Sequence, residues 1–204
     1  QFTQSNLWWF TSLERHRAVA VTQNSVVLYD AHYEGFDEFV SRVRRISELI
    51  ESTAGNGCFL TTVALRYVSG FPSDGVPSPY ICDGLHGLST EPLNTEHFHH
   101  QYNFWCDTGG GGKLVVNVKT VHGNELIPKD VLSTGLELDS KFKLKREIDS
   151  VQLDIHETVQ KKTMEKFNVA EIERMMTVMR RNVKTAFLVS STEKAHEKWK
   201  IRKG

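Results

Sequence analysis

Two segments of this 204-residue chain carry apolar residues at intervals of three and four, and most segments between them alternate apolar with polar residues. The two apolar stripes cover residues 36–50 and 172–187. This spacing predicts amphipathic helices, and Asn168 with Glu171 three residues later indicates an N-cap for the second helix. We expect the following residues to form the helical side of the core: Phe39, Val43, Ile46, Ile50, Met175, Met176, Met179 and Val183.

The alternating segments predict strands at residues 17–22, 26–29, 60–68, 97–104, 113–121 and 151–156. Gln23-Asn24-Ser25 indicates a turn between the first two strands, and the glycines at 109–112 indicate a hairpin tip between the fourth and fifth. Hairpins combined with long amphipathic helices favour an antiparallel sheet that is covered by helices on one side. The predicted fold class is α+β, with a mostly antiparallel sheet in one layer and two long helices packed on one of its faces.

The segment 70–96 divides the chain, because it holds four prolines and four glycines and has no periodicity of its own. We therefore expect a single domain over residues 1–204, built from two hairpin-bearing halves at about 1–69 and 97–204. A loop as long as 70–96 is typical of a functional surface loop or a mobile cover. Since the chain begins with Gln1 rather than Met, a further N-terminal segment is also compatible with the sequence.

The composition excludes several classes of protein. The 25 basic residues are balanced by 25 acidic residues, so long-range electrostatic capture of nucleic acid is not the main design. No stretch reaches the roughly 18 consecutive apolar residues of a membrane helix. The three cysteines, Cys58, Cys82 and Cys106, form no Cys-x-x-Cys pair, which predicts a reduced thiol state and a cytoplasmic location. No motif implies a cofactor.

Parts of the chain resemble a known family. The run VTQNSVVLYDAHYEGFDEFVSRVRRISELIE at 21–51 and the run TTVALRYVSGF at 61–71 match the family's hairpin, helix and "RYxN"-like strand. Residues 153–155 match its "LDID" strand, and the Ala-Phe pair at 186–187 matches its closing helix. Thr192, Ala195 and Trp199 match its Thr-x-x-Ala…Trp tail. On these motifs the chain resembles a sporadically distributed family of prokaryotic proteins with no assigned activity.

This resemblance implies the fold rather than a mechanism. The chain departs from the family pattern at Ser69, where Asn is common, and at His156, which replaces the second Asp of "LDID". The scattered distribution of the family is typical of accessory genes, such as components of defence or toxin-neutralising systems. A role of that kind is an expectation that comes from the resemblance alone.

The histidines at the start of the fourth strand are the sharpest local feature of the sequence. On a strand, His97 and His99 share one face, which folding about the glycine run brings near Lys119. Two histidines supply only two of the three or four ligands that zinc requires. Asp154 and His156 share a face of another strand, so they are candidates for the remaining ligands. The alternative is a solvated polar sheet face that holds no metal.

A second candidate site is the basic surface of the last long helix. Arg180, Arg181 and Lys184 precede further lysines near the C-terminus. Such a surface is able to meet phosphates or an acidic partner, although its usual meaning is a solvated helix face. No aromatic residues interleave with these cations in the sequence, as a platform for stacking bases requires.

We therefore expect a non-enzymatic protein-binding module that acts through the open polar face of the sheet and the long loop 70–96. No complete catalytic constellation is present in the sequence, and an exposed Pro/Gly-rich loop suits recognition. The expected binding residues are His97, His99, Lys119, Asp154, His156, Arg180, Arg181 and Lys184. The alternative is a metal-dependent hydrolase or nuclease that uses His97, His99, Asp154 and His156, and a third hypothesis is an RNA-binding subunit. A homo-oligomer is compatible with each hypothesis.

Overall fold

The computed structural model describes residues 6–54, 57–73, 78–86, 100–139 and 142–198. Seven strands and four α-helices follow one another along the chain in these ranges. In chain order they are β1 (Trp8–Thr11), β2 (Arg17–Val21), β3 (Val26–Asp30), α1 (Phe36–Ala54), β4 (Phe59–Pro72), β5 (His100–Thr108), β6 (Gly112–Glu125), α2 (Lys129–Leu132), β7 (Lys143–Lys166), α3 (Val169–Ser190) and α4 (Glu193–Lys198). A 3₁₀ helix spans Asp83–Leu85 between β4 and β5.

Strands β4 to β7 form an antiparallel sheet in the order β4-β7-β6-β5. The long strand β7 pairs with β4 on one side and with β6 on the other, so it holds the sheet together. The β5–β6 hairpin turns at the glycine run, where Gly110 and Gly111 have φ of 77° and 83°. Glycine adopts these positive angles without the steric penalty of a side chain, and the predicted hairpin tip is confirmed.

One face of this sheet is covered by helix α3. The residues that meet it alternate along the strands, and the buried ones include Leu65, Phe71, Leu114, Val116, Val118, Val151, Leu153 and Ile155. From the helix, Ile172, Met175, Met176, Met179, Val183 and Ala186 are buried against them. Helix α1 packs beside α3 on the same side of the sheet. The predicted class, α+β with an antiparallel sheet, is confirmed.

Helix α1 contributes less to the core than its apolar stripe predicts. Phe39 and Val43 are half-buried against the core, as are Phe36 and Val40, whereas Ile46 and Ile50 are half-buried outside that cluster. The expectation that all four predicted positions of α1 are buried is therefore wrong. The physical reason is that α1 packs on α3 and on the edge of the core, so only its first half reaches the cluster.

A second, smaller sheet has the strand order β1-β2-β3, and both of its strand pairs are antiparallel. The sequence predicted the β2–β3 hairpin but not β1. This sheet is attached to the rest of the molecule by polar contacts. Asp30 accepts a hydrogen bond from Arg42 Nη1 of α1 at 2.8 Å, and the hydroxyl groups of Tyr33 and Tyr67 lie 2.9 Å apart.

The described residues of the predicted loop 70–96 are packed against the rest of the molecule. β4 continues to Pro72, which an edge strand tolerates because its missing N–H faces away from the ladder. Residues 78–86 hold only the 3₁₀ helix, yet Tyr80 and Ile81 are buried and Ile81 forms a bridge with Ser191. Residues 74–77 and 87–99 lie outside the described residues. Within the described ranges, no helix is both long enough and apolar enough to cross a membrane.

Candidate functional site

The face of the four-stranded sheet opposite α3 is lined mainly by polar side chains, and we call it the open face. The strand register and the alternation of side chains place the following residues there: Ala64, Arg66, Val68, Gly70, Gln101, Asn103, Trp105, Asp107, Lys113, Val115, Asn117, Lys119, Gln152, Asp154, His156 and Thr158. Their exposure rises from β7 towards β5, where all four residues are exposed. The accessible part of the open face is therefore its β5–β6 side.

A short segment that we call the strap, residues 126–135, covers one end of the open face. It begins with the buried residues Leu126 and Ile127 and continues into α2. A Cβ at Gly70 would lie 1.7 Å from the Leu126 carbonyl oxygen, so only glycine permits this approach. The strap explains why Gln152, which lies next to Gly70 in the register, is buried although it belongs to the open face.

Arg66 links the strap to the sheet. Its guanidinium donates to both Asp154 oxygens, from Nε at 2.8 Å and from Nη2 at 2.7 Å. Nη1 donates to Asp130 of α2 at 2.5 Å. The hydrogen bond from Arg66 lowers the pKa of Asp130, which keeps that carboxylate charged. Since Asp154 is engaged in a bidentate ion pair, its carboxylate is already satisfied by a cation.

Trp105 is the large apolar side chain of the open face, and it is 60% exposed. The ammonium nitrogen of Lys113, on the neighbouring strand, lies 4.5 Å from the centroid of its ring. This distance is typical of a cation–π contact, which restrains both side chains. Asn103 and Asn117 form a cross-strand pair on the same face, so side-chain amides lie next to the ring. The result is an aromatic anchor within a rim of hydrogen-bonding groups.

The open face has no excess of charge of either sign. Its cations are Arg66, Lys113 and Lys119, and the carboxylates on or against it are Asp107, Asp130 and Asp154. Lys113 lies directly opposite Asp107 in the strand register, as a favourable cross-strand pair does. A balanced surface of this kind does not attract polyanions from a distance.

Sequence-predicted site residues fall in three groups. Lys119, Asp154 and His156 share the open face, as their alternation predicted. His97 and His99 lie outside the described residues, so the metal site that includes them stays a prediction. Among the residues the structure describes, no three His, Cys, Asp or Glu side chains form a group that could hold a metal ion.

The basic residues of α3 belong to the helical layer and not to the open face. Arg180 lies over two aromatic rings, with its guanidinium carbon 5.8 Å from the centroid of Phe36 and 5.3 Å from that of Tyr67. Arg181 is exposed, and Lys184 is half-buried. Arg180 therefore joins α3 to the aromatic residues beside it, and the cluster predicted from the sequence is not a uniform solvated stripe.

Two further polar arrangements lie inside the molecule. Glu157, with only 1% of its surface exposed, accepts hydrogen bonds from Thr108 at 2.5 Å and Asn182 at 3.0 Å on the α3 side. Ser191 Oγ and His196 Nε2 are buried 2.8 Å apart, but the hydroxyl donates its proton to the Phe187 carbonyl. A serine with its proton held by a carbonyl is not poised as a nucleophile. This pair fastens α4 to the end of α3.

Sequence reasoning missed Trp105, Arg66 and Glu157. The alternation that places Gln101 and Asn103 on one side of β5 also places Trp105 there, so this signal was present. In β7 the apolar residues alternate up to Ile155, and the next residue on the same face is Glu157, so its inward position could also be predicted. The partnership of Arg66 with Asp154 depends on the pairing of β4 with β7, which local periodicity does not encode.

No family model, curated protein or solved structure matched this chain in three separate comparisons.

Proposed function

We propose that this chain is a non-enzymatic protein-binding module whose contact surface is the β5–β6 side of the open face. The observation that carries this proposal is the exposed Trp105 ring, held by Lys113 and flanked by side-chain amides. Tryptophan is enriched among the residues that dominate binding energy at protein interfaces. A ring of polar groups around such an anchor is the usual anatomy of a protein–protein contact.

The charge pattern favours a protein partner over a nucleic acid. Surfaces that bind nucleic acid carry an excess of cations that release counterions from phosphates. The open face carries three cations, and three carboxylates lie on or against the same surface, so it has no such excess. RNA binding through Arg181 and Lys184 of α3 remains a separate hypothesis.

The metal-dependent alternative is weaker because of what Asp154 does. The Arg66 guanidinium donates to both oxygens of this carboxylate, so it neutralises the negative charge that would attract a metal cation and places a positive charge beside the site. We therefore propose binding rather than hydrolysis as the activity of this surface.

The cellular role and the compartment of the protein are separate proposals. A role as an accessory component in defence or toxin neutralisation rests on the family resemblance alone. The described thiols Cys58, Cys82 and Cys106 are all free, which supports a reducing compartment such as the cytoplasm.

The direct test is site-specific photo-crosslinking in the native host. A benzoylphenylalanine placed at Asn103, beside Trp105, should capture one discrete protein, identified by mass spectrometry. Trp105→Ala in the same chain should reduce capture about 30-fold, because losing an anchor worth about 2 kcal/mol weakens binding by that factor. Trp8→Ala, which removes an exposed tryptophan from the small sheet, is the matched control and should leave capture unchanged.

Equal capture by the wild type and by Trp105→Ala would contradict the proposal. Recovery of crosslinked RNA in place of protein, with binding that falls steeply as salt is raised, would instead favour the RNA-binding hypothesis. Stoichiometric zinc in the purified protein, lost in His97→Ala and His99→Ala variants, would favour the metal-dependent alternative.

A further inference from the structure

Strand β5 forms one edge of the four-stranded sheet, and its regularity is unusual for an edge. All nine of its residues pair with β6 in one unbroken register, from His100 opposite Thr120 to Thr108 opposite Gly112. None of the strands in the described ranges pairs with its outer side. The backbone groups along that side are consequently not used by the sheet that the structure describes.

β5 lacks the features that commonly prevent the edge strands of two sheets from pairing. Protein edges are commonly protected by lysine, by proline, by a bulge or by a very short strand. The sequence of β5, HQYNFWCDT, contains neither lysine nor proline, and its pairing with β6 has no bulge. A long edge without a bulge, whose one charged side chain is Asp107 near its end, is a template for a further strand.

Both faces of β5 carry exposed aromatic rings. Helix α3 packs mainly over β4, β7 and β6. As a result, Tyr102 and Phe104 are exposed on the helix side of the strand, while Trp105 is exposed on the open face. An added strand would therefore cover aromatic surface as well as complete a ladder of backbone hydrogen bonds.

We infer that the added strand is β5 of a second copy of this chain, paired antiparallel across a two-fold axis. From His100 to Cys106 the strand carries no Asp, Glu, Lys or Arg, so two copies meet without repulsion between like charges. The whole chain also has a formal net charge of zero. A charged foreign peptide, in contrast, would find no charge complementarity along this edge.

The register follows from matching the faces of the two strands. Side chains on one face must stay on one face, so the axis passes through a residue position. With the axis at Asn103, Tyr102 of each copy lies opposite Phe104 of the other. Two cross-strand aromatic pairs of this type are among the most favourable pairs in antiparallel sheets. This register makes a continuous sheet of twice four strands.

With the two-fold axis at Asn103, the open faces of the two copies lie on the same side of the combined sheet. Trp105 of one copy lies beside Gln101 of the other, so the two indole rings are offset by four residues along the strands. At about 3.4 Å per residue, the offset between the rings is about 14 Å. The dimer therefore presents two anchors on one surface, although the dimer inference itself does not depend on the function proposed for Trp105.

The test introduces opposite charges at the two paired aromatic positions and measures the oligomeric state by sedimentation velocity. Protein concentrations run from about 1 to 100 µM, the range in which a dimer held by one pair of strands should dissociate. The wild type should shift from monomer to dimer over this range. Tyr102→Lys and Phe104→Glu should each remain monomeric at concentrations at least tenfold higher than the wild type requires. An equimolar mixture of the two variants should dimerise again, because the lysine introduced in one chain then faces the glutamate introduced in the other.

The matched control is Phe10→Lys, which places the same charge on an exposed aromatic of the small sheet and should dimerise like the wild type. A measurement without substitution is amide hydrogen exchange of the wild type, in which the alternate amides of β5 that point away from β6 should be protected at about 100 µM and exchange readily at about 1 µM. A wild type that stays monomeric, or variants that dimerise normally, would overturn the inference. A mixture that stays monomeric would overturn the Asn103 register. If the wild type stays monomeric but benzoylphenylalanine at Asn103 still captures a partner protein, the dimer is refuted and the proposed binding function stands.

Discussion

The two sheets of this protein are built from similar alternating strands, yet they bury their side chains very differently. In the four-stranded sheet, Leu153 and Ile155 of β7 are each 1% exposed beneath α3. In the three-stranded sheet, only Ala18 and Ala20 are buried, whereas Trp8 and Phe10 are among the exposed residues. Alternation therefore predicts that a strand has two kinds of face, but the covering element decides which face is buried.

The largest expected effect separates the two sheets by stability. Leu153→Ala in β7 should lower the free energy of unfolding by about 2–5 kcal/mol, because it opens a cavity in a close-packed core. Leu28→Ala in β3 is the matched substitution at a half-buried position and should cost about 1 kcal/mol or less. Urea unfolding of both variants measures the difference. Equal losses would mean that the small sheet is as well covered as the large one.

The second prediction concerns the attachment of the small sheet. The Asp30 side chain is 2% exposed and accepts from Arg42 at 2.8 Å, with Arg17 Nε at 3.5 Å. Asp30→Asn should cost about 1–3 kcal/mol, since the buried acceptor of the Arg42 hydrogen bond loses its charge. Hydrogen exchange should accelerate in β1 to β3 and stay unchanged in β7.

The control for this prediction is Glu34→Gln, which alters an exposed partner of the same Arg42 and should leave exchange in the small sheet nearly unchanged. Uniform acceleration in both sheets of the Asp30→Asn variant would show that they unfold as one unit. That outcome would remove the distinction drawn between them.

The smallest expected effect concerns the ties between α3 and the large sheet. Hydrogen bonds from Arg174 and then from Lys161 of β7 lower the pKa of Glu171 from its ordinary 4.5 to about 2. A carboxyl with a lowered pKa stabilises the folded state above its unfolded pKa, and this contribution fades as the pH falls towards the folded value. Glu171→Gln should therefore cost about 0.5 kcal/mol at neutral pH, the magnitude of a solvent-screened pair.

The measurement is thermal unfolding of the wild type and Glu171→Gln between about pH 7 and pH 2. The difference between them should be constant above about pH 5 and should shrink as the pH falls from 4.5 towards 2. Arg174→Gln should remove part of the same pH dependence, because its hydrogen bond has the largest influence on Glu171. A difference that grows on acidification would contradict the assigned direction of the pKa shift.

Local features of the fold could be predicted from the sequence, because they depend on residues close together in the chain. The Asn168 side chain accepts from the Glu171 amide at 2.9 Å, as the N-cap prediction requires. The hairpin at the glycine run and the shared face of Asp154 and His156 also follow from local spacing. The approach of Leu126 to Gly70 could not be predicted, because it joins segments more than fifty residues apart.

The candidate site was predicted only in outline for the same reason. Alternation located Lys119, Asp154 and His156 on one face, but the partner of Asp154 comes from β4 through the sheet order. The exposure of Trp105 depends on the strap, which covers the open face at Gly70 and Arg66 of β4 and not at β5, and no periodicity of β5 reveals this. Long-range pairing thus determined which of the polar residues are accessible.

The position of β7 between β4 and β6 has a consequence for how the chain reaches this structure. β4 is complete at Pro72, but its partner strand begins at Lys143 and ends at Lys166. During synthesis, β4 must wait for about ninety further residues, while the β5–β6 hairpin can close at once. Because pairing across such sequence distances slows folding, we expect this protein to fold on the millisecond-to-second scale and to expose β4 to chaperones until β7 arrives.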